Sequence, residues 1–187
     1  PQDQAAFQQV ITLIQTTQET VVKAANTALL KLYWQIGQVI SQQIASAAWG
    51  TGVVERLARH IAQTQPNLRG FTRSNLLRMR QFYETYQDQP EAQSLALQLP
   101  WTHNLIIMSQ AKRPEERLFY LHMTIREHWG KRELERQFKG ALFERTILQP
   151  LKVAPLVRQI HPEANQFFKD TYLLEFLGLP PTHHEAD

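Results

Sequence analysis

From residue 3 to about residue 48 the chain contains no proline and a single glycine, Gly37. Apolar residues recur at helical spacing through the whole stretch: Phe7, Ile11, Ile14, Val21, Ala25, Leu29, Leu32, Ile36, Val39, Ile40 and Ile44. Steps dominated by three, four and seven call for one long helix or two collinear ones. The intervening positions are largely Gln, Thr and Ala, and the charges Asp3, Glu19, Lys23 and Lys31 cancel. Two uses fit such a stripe. It packs as an ordinary core-facing face, or it associates with a second copy, because a stripe this long needs a long partner surface.

Proline and glycine punctuate the rest. Trp49-Gly50-Thr51-Gly52 ends the long helical region, with Thr51 as the expected N-cap of VVERLARHIAQ, a helix running to about Gln65. Pro66, Asn67 and Gly70 make a turn. Thr72 or Ser74 then caps a helix to about Gln87. Residues 90–100 read as a mixed loop closed by Pro100. WTHNLIIMSQ follows as a short helix with Thr102 as candidate cap. Pro114 suits the first position of the helix EERLFYLHMTIREHW. Gly130 interrupts, and KRELERQFKGALFERTI continues as helix. Pro150 and Pro155 mark a linker, followed by the apolar FFKDTYLLEFLGLPP and a polar tail. There is no internal repeat and little β signal. The expected class is mainly α, a multi-helix domain with a helix-turn-helix-like core behind a long N-terminal helix. The expected divisions are 1–50, 51–149 and 150–187.

Several chemistries are excluded or lack a constellation. At 187 residues and 43% hydrophobic, the chain is long and apolar enough for a real core. It has no cysteine, which removes disulfides, thiolate zinc sites and cysteine nucleophiles and fits a reducing, cytoplasmic setting. No apolar run approaches the roughly 20 residues of a membrane span, and the first residues, without a basic stretch followed by an apolar core, are not expected to be a signal peptide. His103, His122 and His128 fall in expected helices without a ligand partner at metal spacing, and His183-His184 lies in the tail. Glu115-Glu116 sit in a first helical turn, where acids favour the dipole. Glu133 and Glu135 alternate with Lys131, Arg132 and Arg136, as on a solvated face. No catalytic triad spacing, phosphate loop or dinucleotide fingerprint is present. No catalytic residue, metal ligand or cofactor is therefore expected within this chain. Trp101, Phe119, Tyr120, Trp129 and Phe138 are expected core.

Charge carries the functional signal. The formal net charge is only +3, yet residues 51–145 hold fifteen Lys/Arg against ten Asp/Glu. Arg56, Arg59, Arg69, Arg73, Arg78 and Arg80 fall within 28 residues, Arg56 to Tyr83, that contain no acid. A one-signed patch on a helix, tight turn and helix suits approach to a phosphate backbone. On a 100° wheel the second helix, FTRSNLLRMRQFYETY, puts Thr72, Leu76, Met79, Tyr83 and Tyr86 on one face, with Phe82 and Asn75 at its edge. Arg73, Ser74, Leu77, Arg78 and Gln81 lie opposite, with Arg80 at the boundary. Arginine grips guanine or phosphate in a bidentate way and Gln reads adenine. That assigns Arg73, Ser74, Arg78 and Gln81 to a reading face, and Arg56, Arg59 and Arg69 to phosphate positioning. The plain alternative is a solvated charged face, and Arg80 has its own alternative, a pair with Glu84 four residues on.

Read together, LYWQIGQVI, WGTGVVERLARHI, GFTRSNLLRMRQFYETY, LPWTHNLIIM and EERLFYLHMTIREHWGKRELERQF closely resemble the N-terminal region of the bacterial YhcG-like proteins over roughly residues 30–145. Thr102 departs from the serine or glycine usual between Trp and His. The resemblance implies a winged helix-turn-helix-like DNA-binding domain that precedes a PD-(D/E)xK nuclease domain. A short β-wing then has room only over residues 89–99. FFKDTYLLEFLGLP resembles the junction into the nuclease domain, so the metal-binding acids, the motif lysine and any divalent metal such as magnesium are expected beyond Asp187. The expected partners are nucleic acid, DNA first, and a second copy through the N-terminal helices, with no membrane. The alternative is a protein-interaction and oligomerisation scaffold that makes no nucleic-acid contact.

Overall fold

A computed structural model describes residues 2–46, 50 and 52–148, and among them there are seven α-helices, one short π-helical turn and no strand. The linker at Pro150 and Pro155, the FFKDTYLLEFLGLPP segment and His183-His184 lie outside the described residues, as does Thr51. Two compact units divide between Met108 and Ser109.

In the first unit, α1 (Gln2–Ala45) is one unbroken helix of 44 residues. Without proline, nothing in it removes a ladder donor. α2 (Val53–Thr64) follows Gly52, which takes φ +78 at the cap position with no side-chain cap. A left-handed φ is open to glycine at little steric cost, so the backbone ends one helix and starts the next here. α3 (Arg73–Tyr86) is capped by Thr72, whose hydroxyl accepts from the Asn75 N–H at 3.3 Å. The cap role expected of Thr72 or Ser74 thus falls to Thr72.

No strand forms where the wing is expected over residues 89–99, and most of the loop read across residues 90–100 is instead a helix, α4 (Pro90–Ala96). Pro90 occupies the first turn, where its missing N–H is no loss. Glu91 suits the helix dipole, and Ala92 and Ala96, four apart, are buried. α5 (Trp101–Gln110) begins one residue before Thr102. The Pro100 carbonyl accepts from the N–H groups of His103 (3.1 Å) and Asn104 (3.2 Å), so Thr102 is inside the first turn rather than at the cap. The buried Asn104 amide donates back to the Ala96 carbonyl at 2.9 Å, and Asn26 of α1 donates to the Leu99 carbonyl at 3.1 Å.

α3 sits at the centre of this unit, packed on α1, α2 and α4. Tyr33, Ile40, Val54, Leu76 and Met79 form the core, flanked by Ile36, Ile44, Leu57, Ile61, Phe71 and Trp101. The α1 residues that face it are Leu30, Tyr33, Gly37 and Ile40, in steps of three and four. Gly37 meets the α3 backbone directly: a Cβ there would run into the Met79 carbonyl and lie 3.1 Å from Tyr83 Cβ. Trp34 packs edge-on against Phe82 and Tyr83 with centroids at 5.6 and 5.0 Å, and Trp101 against Tyr33 and Phe82 at 5.0 and 5.3 Å. The apolar stripe read from the sequence is only partly this face. Ile40 and Ile44 join the core, whereas Phe7, Ile11, Ile14, Val21, Leu29, Leu32 and Val39 are exposed. Residues 4–25 are exposed throughout.

In the second unit, α6 (Pro114–Arg126) starts with proline in its first turn, as expected. The buried Glu116 carboxylate accepts from the Lys112 N–H at 3.0 Å. The helix ends in a Schellman closure: His128 takes φ +51, and the Trp129 N–H donates to the Thr124 carbonyl at 3.1 Å. α7 (Lys131–Lys139) stops at Gly140. Ala141 has φ +49 and a short π-helical turn covers Glu144–Leu148. The helix expected to run through KGALFERTI is therefore broken at Gly140-Ala141. Tyr120 stacks on Phe138 with centroids 3.7 Å apart, and Phe119 meets Phe143 at 5.4 Å. Of the aromatic residues expected as core in this segment, Phe119, Tyr120 and Phe138 pack together with Phe143, whereas Trp129 is half-buried.

Candidate nucleic-acid interface

Because α3 is held on three sides, its fourth side is solvent. Arg73, Ser74, Arg78 and Gln81 are all exposed there, and Leu77 is half-buried. The opposite face holds Leu76, Met79, Phe82 and Tyr86, all fully buried. Two positions differ from the wheel. Phe82 is at the heart of the buried face rather than its edge, because Trp34 and Trp101 close over it. Thr72 is exposed, because it caps the helix instead of continuing it.

Asn75 locks the start of α3. Its side-chain amide donates to the Gly70 carbonyl, and its Oδ1 accepts from Trp101 Nε1 at 2.9 Å. Gly70 takes φ +91, a left-handed conformation the turn requires. The connection between α2 and α3 spans residues 65–72, longer than the three or four residues of a compact DNA-binding helix-turn-helix. The expected tight turn is thus a longer loop pinned by one asparagine.

The arginine set divides by its partners. Arg56, Arg69 and Arg78 are exposed and make no ion pair among the described residues. Arg59 and Arg73 share the Glu55 carboxylate, at 3.9 and 3.6 Å. With both partners at least half exposed, each pair is worth on the order of 0–1 kcal/mol. Arg80 is different. Its Nε donates to Glu84 Oε1 at 2.7 Å, and Ser41 of α1 donates to the same oxygen at 2.8 Å. Arg80 and Glu84 are only about a third exposed (34% and 37%). This is the alternative the sequence offered for Arg80, and it ties that side chain to the α1–α3 packing rather than to the open face.

The structure therefore brings Arg73, Ser74, Arg78 and Gln81 onto one exposed helix face. Arg56 and Arg59 lie on α2, and Arg69 in the connecting loop. Glu55 and Glu84 bracket the acid-free run in the sequence, and both fold back onto its arginines. Among the described residues no three His, Asp or Glu side chains converge as metal ligands would. His103 is buried in α5.

The model of the DUF1016 N-terminal domain matches residues 9–145. The chain belongs to this family. The DUF1016 domain thus takes in nearly all the described residues, from α1 to the π-helical turn. A relative from Escherichia coli (strain K12), titled "Putative nuclease YhcG", is 27% identical over 223 aligned positions, which cover 98% of this chain and 59% of that protein. The chain spans about three fifths of that relative's length. No solved structure matches the chain. No helix among the described residues is long and apolar enough to cross a membrane.

Proposed function

We propose that this chain is the DNA-binding, substrate-targeting N-terminal module of a YhcG-like PD-(D/E)xK nuclease. Cleavage, and the divalent metal such as magnesium that it needs, then belong to a nuclease domain outside these residues. The observation that carries the reading is the open face of α3. Guanidinium, hydroxyl and amide groups stand together on a helix whose other sides are occupied. Arg73 and Ser74, in its first turn, reach base edges, with Arg78 and Gln81 one and two turns on. Arg56, Arg59 and Arg69 neutralise phosphates and set orientation. Arg80 stays paired with Glu84 and takes no part in the contact.

The test is a titration of a defined duplex with the native chain and with the Arg73→Ala/Arg78→Ala double variant at two salt concentrations. The double variant is expected to bind more weakly at both salts, by about 1–3 kcal/mol for each arginine removed from a base edge. Equal binding by both proteins at both salts would remove this helix from the interface. Parallel titrations of single-stranded and branched DNA report which form is preferred.

A second reading, a self-associating scaffold, is favoured by the exposure of α1 over residues 4–25 with its apolar side chains in place. Self-association by itself is compatible with the DNA reading, since a homodimer formed through α1 presents two basic faces; the scaffold reading differs in making no nucleic-acid contact.

A further inference from the structure

We propose that a second copy of this chain pairs antiparallel along the outer face of α1, with Phe7 against the partner's Val39. The inference rests on the reading of α1 as a self-association helix, and it fixes the direction and register of that pairing.

α1 carries two stripes. One, from Leu30 to Ile40, is spent on α3. The other starts at Phe7 and alternates steps of four and three to Val39 without a break. Ile11, Ile14 and Val21 hold its first half, Ala25, Ala28 and Leu32 its second, with Gln18 and Gln35 as its polar positions. Every one of these positions is exposed. Phe7, Ile14, Val21 and Val39 retain 66%, 53%, 60% and 51% of their accessible surface. Alternating steps of four and three are the seam of a left-handed two-stranded coil, because they average the 3.5-residue repeat. At 1.5 Å per residue the seam is about 48 Å long.

Direction follows from size. In an antiparallel pair centred on Lys23, Phe7, Ile11 and Val21 of the first half each meet a smaller or polar residue of the second. Ile11 faces the partner's Gln35, Gln18 faces the partner's Ala28, and Val21 faces the partner's Ala25. Ile14 meets the partner's Leu32. A parallel pair would instead stack Phe7 on Phe7 and Ile14 on Ile14 at one end, and leave Ala25 and Ala28 facing themselves in the middle. Alternation of large and small side chains is what fills a seam to native density.

The far end of the seam supplies a second argument. Gln35 and Val39 are continuous with an apolar groove whose other wall is Leu57 and Ile61 of α2. Only a helix carrying nothing on its own flanks fits beside that wall. Residues 4–25 of the partner are such a helix, and antiparallel pairing delivers Phe7 into the groove. Parallel pairing would bring the α2 walls of both copies to the same place. Charge does not oppose the contact, since Lys31 is the charged residue flanking the seam and faces Gln15 and Thr17. Two such stripes bury on the order of 1,000–1,500 Å² in total, the size of a specific interface.

The absence of cysteine from the chain makes the register measurable. The 187-residue chain is expected to have a dimer mass in solution by light scattering. Val21→Glu, at the seam, is expected to raise the dimer dissociation constant at least about a hundredfold, while Gln9→Glu, on the opposite side of α1, leaves it unchanged. Under mild oxidation, Ile14→Cys/Leu32→Cys in one chain is expected to give covalent dimers. Ile14→Cys alone gives none, because its two copies lie about 27 Å apart along the axis. A monomeric native chain overturns self-association and register together, as does a Val21→Glu variant that stays fully dimeric. A dimer cross-linked by Ile14→Cys alone and not by the pair overturns the antiparallel register only. None of these outcomes bears on the arginine titration, which tests the DNA reading separately.

Discussion

Gly37→Ala sets two well-known effects against each other, and the geometry decides between them. In an exposed helix interior, replacing glycine with alanine stabilises by roughly 0.5–1 kcal/mol, because alanine has less backbone freedom to lose. At residue 37 the added methyl points into α3. It would lie 2.7 Å from the Met79 carbonyl carbon and 3.1 Å from Tyr83 Cβ. Backbone cannot rotate away as a side chain would, so α1 and α3 must separate by roughly half to one ångström. A gap of that size forfeits a quarter to a half of the dispersion well for the contacts it opens. Leu30, Tyr33 and Ile40 on one helix, and Leu76, Met79 and Phe82 on the other, meet at this crossing and are buried. Overpacking of this kind typically costs about 1–3 kcal/mol, and more where backbone is the obstacle. The net expectation is a loss of about 1–3 kcal/mol, or roughly 5–20 °C in Tm for a unit of this size. Urea unfolding followed by tryptophan fluorescence reads it, because Trp34 and Trp101 flank the crossing. Gln42→Ala, on the exposed side of α1, is the control and should stay within about 0.5 kcal/mol. If Gly37→Ala matches or exceeds the native stability, the close helix crossing is wrong.

Three further outcomes are expected. Asn75→Ala leaves the Gly70 carbonyl and the Trp101 N–H without their partner and should cost about 1–3 kcal/mol; an unfolding midpoint shifted by less than a tenth of that would mean water replaces both bonds. Glu55→Gln releases Arg59 and Arg73 from their shared carboxylate, and should tighten duplex binding about threefold to tenfold at low salt with a steeper salt dependence; weaker binding would show that Glu55 orients Arg73 rather than competing for it. In the second unit, burial above all holds the Tyr120 hydroxyl above its usual pKa near 10, with Glu144 and Glu116 adding to the rise. The folded state therefore keeps a proton that the unfolded chain gives up, and the contribution of Tyr120 is complete below pH 10 and declines as pH rises through the folded-state value. Tyr120→Phe should flatten the alkaline limb of the stability profile, and an unchanged limb would assign it to other groups.

The fold was legible where one signal dominated. The unbroken helix α1 follows from the missing prolines, and α6 from Pro114 at its start. Residues 90–100 misled because proline has two meanings. Pro90 and Pro100 both read as loop punctuation, whereas Pro90 opens a helix whose small buried face, Ala92 and Ala96, leaves almost no periodic trace. The face of α1 that packs was the harder problem. A stripe from Phe7 to Ile44 merges two helical faces that lie far apart on the wheel, and periodicity records that a residue is apolar, not what covers it. The lone glycine in 44 residues was the available pointer to the packed face, since a helix tolerates glycine where another backbone must come close. Asn75 left no such signal, because its role depends on Trp101, distant in sequence.

The arginine cluster shows the same division between sequence and space. Counting from Arg56 to Tyr83 finds no acid, yet the two carboxylates just outside that window, Glu55 and Glu84, are the ones that fold onto it. Their effects differ with burial. The Glu55 pairs are exposed, worth at most about 1 kcal/mol each, and a phosphate offering a charge-assisted bidentate bond competes with them on favourable terms. Arg73 is thus available to a ligand at small cost. The Arg80–Glu84 pair is shorter, less exposed and held by Ser41 across the α1–α3 contact, so displacing Glu84 would also disturb that contact. Six arginines in sequence accordingly reduce to three that are open, two that are lightly restrained and one that is structural. The open face of α3, rather than the full basic run, is the surface on which the DNA reading should be tested.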